Sequence, residues 1–227
     1  MKSDMAIEAA QLLAKARQEK VALLALPEHC RPTSVEQGYA VQRAFMQIWR
    51  QPLVGWKVGA TAPAVQKLFK VSEPFFGPIH AGGLLKSPAA PNAEDYFHHT
   101  IEAEFAFRLN RDLPARSQAW SRDEIASAID GVAPAFEIVN SRFTSIPFDD
   151  VASCIADCGL NGGLVAGELT KDWSKLDLAR HEVRLSIDGQ LRQAGSGANV
   201  LGHPQNVLDW AVNALSQAGI GMRRGQY

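Results

Sequence analysis

No stretch of about eighteen apolar residues occurs in the 227-residue chain, so no segment reads as a membrane-spanning helix. Clusters of lysine and arginine are missing too. With 23 basic against 24 acidic residues the formal net charge is −1, which argues against nucleic acid as the main partner. Cysteine is scarce and odd in number: Cys30 stands alone, and Cys154 and Cys158 have no second Cys or His pair at zinc-finger spacing. Reduced, buried thiols and a cytoplasmic location are the expectation. The opening residues lack a signal peptide's apolar core, because Glu8, Gln11, Lys15 and Arg17 interrupt it. No internal repeat or low-complexity tract is present. At 46 % hydrophobic and 21 % charged, the chain has enough apolar material for a real core, in one domain or a domain with a small N-terminal subdomain.

Along the chain, Ile7, Leu12, Leu13 and Ala16 recur at helical spacing behind Ser3 or Asp4 as a cap, which predicts an amphipathic helix over residues 4–20. Ser34 with Gln37 is a capping-box pattern for a second helix over residues 34–50, with Tyr39, Val41, Ala44, Phe45, Ile48 and Trp49 as its buried stripe. Residues 53–61 read as a short strand with a single charge, Lys57. That lysine has two readings: a stem running along apolar surface to water, or an ammonium whose pKa is pushed below the ordinary value by desolvation. Pro63 sits in the first turn of a short helix over residues 62–70. Residues 87–98 form a polar connection, and the adjacent His98 and His99, facing opposite ways, read as solvated.

Residues 101–109 alternate as a strand does. Glu102 and Glu104 share one face; Ile101, Ala103, Phe105 and Phe107 take the other. Carboxylates that close repel. A hard divalent cation between them explains the pair, and so does a solvated sheet edge without any ligand. Ser121 with Glu124 is another capping box, for a helix that Gly131 is expected to end. Residues 132–140 predict an apolar strand with one carboxylate, Glu137, pointing away from Phe136 and Ile138; buried, it needs a partner. A third carboxylate would complete a cage with Glu102 and Glu104. Further on, Asp188-Gly189 is a hairpin turn signal. His203-Pro204 opens a helix with Val207, Leu208, Trp210, Ala211, Ala214 and Leu215 as its apolar face, stopped by Gly219.

Four segments, in this order and spacing, resemble the 2-keto-4-pentenoate hydratases of the fumarylacetoacetate hydrolase superfamily. They are Gly-Trp-Lys-Val-Gly-Ala-Thr (55–61), Ile-Glu-Ala-Glu-Phe-Ala-Phe (101–107) followed by Leu-Asn-Arg-Asp-Leu-Pro (109–114), Ala-Pro-Ala-Phe-Glu-Ile-Val-Asn-Ser-Arg (133–142), and Leu-Gly-His-Pro-Gln-Asn-Val-Leu-Asp-Trp (201–210). The resemblance runs from about Ser34 onward. It implies an α+β fold: a mixed β-roll of the fumarylacetoacetate hydrolase type over residues 53–227, behind an N-terminal helical region over residues 1–52. It implies Glu102, Glu104 and Glu137 as ligands of Mg²⁺ or Mn²⁺, Lys57 as the catalytic lysine, and Ser141 and Arg142 as substrate-binding residues supporting the site.

The implied activity is a metal-dependent hydratase of aromatic catabolism. It adds water to a 2-hydroxy-2,4-dienoate, or its 2-oxo-enoate tautomer, to give a 4-hydroxy-2-oxo acid. Three carboxylates leave about three octahedral positions on an ion for the acid and adjacent oxygen of such a substrate, and Lys57 is placed to move a proton between oxygen and carbon. The implied partners are that small dienoic acid, further copies of the chain in a homo-oligomer, and a related decarboxylase, with no nucleic acid and no membrane. Rival readings are a 2-oxo acid decarboxylase or an acylpyruvate-type hydrolase on the same scaffold, and a non-catalytic partner subunit. A hydrolase would usually bring a Glu-His pair on a lid, and only His80, His98 and His99 lie near.

Two departures stand out. Hydratases of the family often carry an acid a few positions after the pair found here as Phe76-Gly77; the residue in that register is Gly82, with His80 the nearest replacement. Family members also continue for a few dozen residues through a Thr-Gly strand. The chain is therefore expected to be truncated at its C-terminus, with an apolar sheet edge exposed and a monomer of low stability.

Overall fold

Two helices lead the chain, α1 (Ser3–Glu19) and α2 (Val35–Ile48), in the computed structural model, which describes residues 1–227. α1 turns an alanine-rich face inward: Ala6, Ala9, Ala10, Leu13 and Ala14 are buried, whereas Ile7, expected in the stripe, is exposed. Small side chains let the helix lie close on its neighbours, so packing distance and not hydrophobicity sets its rotation. Neither Ser3 nor Asp4 caps α1; Lys2 holds that position without a side-chain bond. Ser34 does cap α2, its hydroxyl accepting from Gln37 N at 3.3 Å, while the Gln37 side chain reaches past it to Thr33 N at 2.9 Å.

The centre is a four-stranded mixed sheet in the order β3-β6-β5-β4, built from β3 (Leu84–Lys86), β4 (Thr100–Leu109), β5 (Ile129–Val139) and β6 (Asn161–Ala166). Two antiparallel ribbons accompany it. One pairs β1 (Leu53–Gly59) with β2 (Phe75–His80). The other pairs β7 (Glu182–Ile187) with β8 (Gln190–Ser196) around Asp188 and Gly189, whose φ values of 52° and 74° are those of the predicted hairpin turn. Residues 222–227 link the first ribbon to the sheet. Trp56 N donates to Tyr227 O at 2.9 Å and Tyr227 N to Val54 O at 3.1 Å, while Leu109 N donates to Gln226 O at 2.9 Å and Gly225 N to Leu109 O at 2.8 Å. Backbone groups on β1 and on the end of β4 are thereby satisfied.

The short helices α3 (Pro63–Phe69) and α4 (Arg122–Ser127) fall close to expectation, α4 has its capping box, and a further short helix, α5 (Val151–Ala156), precedes β6. Gly131 does not end α4, however. β5 begins at Ile129, and Gly131 lies within it because a Cβ there would meet Leu169 Cγ and Thr170 O, both at 2.7 Å. The missing side chain admits the segment that pairs at Val132–Thr170. The last helix, α6 (Pro204–Gln217), is capped by His203, whose Nδ1 accepts from Gln205 N at 3.0 Å. Leu208, Val212 and Leu215 join the largest core with Trp56, Phe76, Phe107 and Val132, while Val207 and Trp210 stay half-buried.

No helix is long and apolar enough to cross a membrane. Gly77 of β2 packs tightly against the turn at Cys158–Leu160, where a Cβ would overlap the Cys158 carbonyl. Gly77→Ala is expected to lower the unfolding free energy by about 1–3 kcal/mol, the usual cost of overpacking. Urea denaturation checks this; an unchanged midpoint would mean that β2 and the turn separate freely.

Candidate metal centre and its cavity

The antiparallel register of β4 and β5 sets Glu102 directly opposite Glu137, and period-two alternation brings Glu104 to the same face. One carboxylate oxygen from each of the three lies within 4.8 Å of the others. Burial deepens from exposed Glu102 through Glu104 to Glu137, which is 2 % exposed. Burial, with Glu137 and Glu102 nearby, pushes the Glu104 carboxyl up to about 8. Burial also pushes Glu137 up to about 7, against the pull of Lys57 and with Glu102 adding to the rise. The site is short of positive charge. An all-oxygen set of three converging carboxylates suits a hard divalent cation.

Lys57 enters from β1. Its Nζ lies 3.1 Å from Glu137 Oε2 and donates to Gly159 O at 2.9 Å. Burial works to lower its pKa, but Glu137, Glu102 and Glu104 together outweigh that and hold it above the ordinary lysine value. Neither sequence reading of Lys57 survives: the stem does not reach water, its side chain being 9 % exposed, and the ammonium is not depressed. Of its three N–H donors, one is left for a ligand. The Gly159 carbonyl is presented by a turn whose three residues, Cys158, Gly159 and Leu160, have φ of 56°, 65° and 66°. Two of them are not glycine, so the turn is held at a cost of about 1–2 kcal/mol for each such residue.

Ser141 and Arg142 are not in the cavity; their expected place against substrate is corrected. β5 ends at Val139, and the chain then turns inward, burying both residues almost completely. The Arg142 guanidinium is spent on Asp157: Nε donates to Oδ1, and one terminal nitrogen donates to the Asp157 carbonyl at 2.9 Å. Its other terminal nitrogen donates to Asn161 O at 3.0 Å, and Arg17 of α1 donates to the same oxygen at 2.6 Å. Asn161 in turn donates from Nδ2 to Glu137 Oε1 at 3.3 Å. Asn161, Asp157 and Arg17 escaped the sequence reading; the one signal was a buried-looking Asn opening a glycine-rich strand.

Lys57, Glu102, Glu104 and Glu137 line a cavity of about 510 Å³ whose remaining walls are mostly apolar, a size that suits a small molecule. His80 does not replace the acid missing at Gly82. Its ring is buried outside this cavity, edge-on to Phe45 at 6.0 Å, and burial followed by Arg17 lowers its pKa to about 4. Gly82 lies on an exposed turn, its N–H donating to Gln51 Oε1 at 3.2 Å. His98, read as solvated, is half-buried and bonds Phe143 O at 2.9 Å.

A scan against protein-family models finds no match. Individual relatives are clear. The chain is 30 % identical over 223 residues to a 2-hydroxyhexa-2,4-dienoate hydratase of Comamonas testosteroni, spanning 95 % of this chain and 83 % of that protein. It is 32 % identical over 225 residues to a 2-keto-4-pentenoate hydratase of Paraburkholderia xenovorans, spanning 96 % and 81 %. The structure superposes on a 4-oxalocrotonate decarboxylase of Pseudomonas putida G7, complexed with magnesium and adipate, with a TM-score of 0.89 at 22 % identity, covering 100 % of this chain and 86 % of that one. That likeness shows a shared fold.

Two predictions come from the site's charge and its supports. Glu104 and Glu137 have raised pKa values, so between about pH 4.5 and 8 the folded protein binds more protons than the unfolded one, and stability falls as pH rises through that window. Scanning calorimetry of cation-free protein should show Tm declining from pH 5 to pH 8. Glu104→Gln should flatten the decline, and added Mg²⁺ should offset it most at the upper end. Asn161→Ala is expected to weaken divalent-cation affinity about 10–100-fold, as loss of a ligand's outer partner does; unchanged affinity in calorimetry would show that Asn161 does not orient Glu137.

Proposed function

The chain belongs to the 2-keto-4-pentenoate hydratase family, and from that membership we propose that it is a divalent-cation-dependent hydratase, adding water to a 2-hydroxy-2,4-dienoate or its 2-oxo-enoate tautomer to give a 4-hydroxy-2-oxo acid. The observation that carries this reading is the convergence of three carboxylates and one ammonium on a single, otherwise largely apolar cavity. Glu102, Glu104 and Glu137 would hold the cation, and Mg²⁺ or Mn²⁺ suits an all-carboxylate set. When bound, the cation supplies positive charge and open positions for the two oxygens at the acid end of the substrate.

The chain's own residues account for the rest. In the reaction, the enol proton leaves the 2-oxygen and a proton is added at the fifth carbon, giving the conjugated 2-oxo-3-enoate. Water then adds its oxygen to the fourth carbon and a proton to the third. Lys57 holds a proton at Nζ beside the carboxylates and has one N–H uncommitted, so it is the residue to carry the proton between oxygen and carbon. Gly159 O and Glu137 keep that ammonium pointing at the site. No His, Cys or Asp lines the cavity, which leaves proton transfer to Lys57, the glutamates and Tyr227. The apolar surroundings of Glu137 and Lys57, both nearly buried, strengthen those charges.

Purified protein with Mg²⁺ and 2-hydroxypenta-2,4-dienoate should lose the dienoate absorbance and incorporate oxygen from labelled water into a 4-hydroxy-2-oxo acid. Release of CO₂ without label would make the enzyme a decarboxylase instead. Glu104→Gln is expected to cost at least about 100-fold in kcat/KM, more than the loss of an outer partner. A variant with full activity would place the function outside these carboxylates.

A further inference from the structure

A second convergence of metal-ligating atoms involves no residue of the cavity. Glu8, His29 and Cys30 each bring one such atom within 4.8 Å of the other two. Glu8 stands exposed on α1, and its Oε1 lies 2.9 Å from His29 Nε2. Cys30 adds a buried sulfur. An exposed carboxylate–imidazole pair is ordinary and contributes little by itself. It does not account for a thiol within reach of both partners.

The segment that carries His29 and Cys30 is held in place by its own backbone. Glu28–Cys30 form one 3₁₀ turn between Pro27 and Pro32, whose rings fix φ on either side. Cys30 N donates to Pro27 O at 3.0 Å, and Arg31 donates from Nε and a terminal nitrogen to Leu26 O at 3.0 and 2.8 Å. The thiol has one contact, donating to Pro27 O at 3.5 Å, a weak bond that an ion would displace. Spacing along the chain conceals the set, because Glu8 comes from a different element.

We propose that Glu8 Oε1, His29 Nε2 and Cys30 Sγ form a zinc site, with water in the fourth position, that ties α1 to the turn before α2. Thiolate, imidazole and carboxylate together suit zinc, whereas the all-carboxylate centre suits a harder ion. Bonds of about 2.0–2.3 Å set tetrahedral donors about 3.3–3.8 Å apart. Atoms already within 4.8 Å reach that spacing by small rotations of the exposed Glu8 and His29 side chains. Binding releases the thiol proton to solvent. Carboxylate and thiolate then balance the ion's charge, and the imidazole stays neutral. The role is structural. Arg17, further along α1, donates to Asn161 O, so fixing this helix steadies an outer support of Glu137. None of this depends on the hydratase reading.

Cobalt tests the proposal, because a thiolate ligand gives Co²⁺ a near-ultraviolet charge-transfer band that carboxylates do not. The full chain, kept reduced with a phosphine and in excess Mg²⁺, is titrated with Co²⁺. The band is expected to appear, and added Zn²⁺ should remove it. Cys30→Ser should abolish it although Cys154 and Cys158 remain. Glu8→Gln and His29→Gln, both exposed changes, should each weaken cobalt binding at least about tenfold, since even the outer partner of a ligand is worth 10–100-fold. Glu104→Gln should keep the band, which separates this site from the carboxylate centre. Zn²⁺ should raise the Tm of the unmodified chain more than that of His29→Gln. Absence of the band overturns the proposal, as does a band that survives in Cys30→Ser, or unchanged affinity in both exposed variants.

Discussion

Glu102 and Glu137 face each other directly across two paired strands, and that repulsion organises much of what surrounds them. Like charges directly opposite destabilise a sheet, and burial of Glu137 deepens the problem. The chain answers with two neutral or positive neighbours from other elements. β1 delivers Lys57 to one oxygen of Glu137, and β6 delivers Asn161 to the other. Each delivery has its own geometric requirement. For Lys57 to reach, the β1–β2 ribbon must press against the turn at Cys158–Leu160, which glycine at position 77 permits. That turn must also run left-handed so that the Gly159 carbonyl meets the ammonium.

Asn161 is held from further away. Its carbonyl takes bonds from Arg17 of the first helix and from Arg142, and Arg142 is locked to Asp157. Buried ion pairs are weak evidence for stability, since desolvation offsets most of their attraction. The cost is visible in Arg17, whose pKa falls to about 10 through burial and the neighbouring Arg142. What the network supplies is position. The first helix therefore reaches within one residue of a candidate metal ligand.

The parts of this arrangement legible in the sequence are those with local periodicity or turn chemistry. Alternation placed Glu102 and Glu104 on one face and set Glu137 apart from Phe136 and Ile138. Asp188-Gly189 and the Ser121–Glu124 box named their turn and cap correctly. Position in three dimensions was not legible. Gly131 looks like a helix stop in one dimension, yet serves the close approach of residues 169–170. Lys57 reads as a candidate for a depressed pKa from its apolar neighbours in sequence, but three glutamates from distant strands reverse the sign. Arg142 follows the strand of a candidate ligand and invites a substrate role, but its partner Asp157 lies fifteen residues further on and takes its charge.

The same shortage of positive charge governs what can enter. Three carboxylates meet one ammonium, and two of them are pushed to pKa values near neutrality. In a low-dielectric cavity each added charge counts for more than it would in water. A divalent cation relieves the excess, and the acid end of a substrate can approach only where that relief is available. Away from the carboxylates the walls are mostly apolar, Val183, Leu185, Leu208 and Met222 standing beside the neutral polar Gln193, Ser196 and Asn199. Charge is thus concentrated at one end of the cavity, and that asymmetry gives a ligand one favoured orientation.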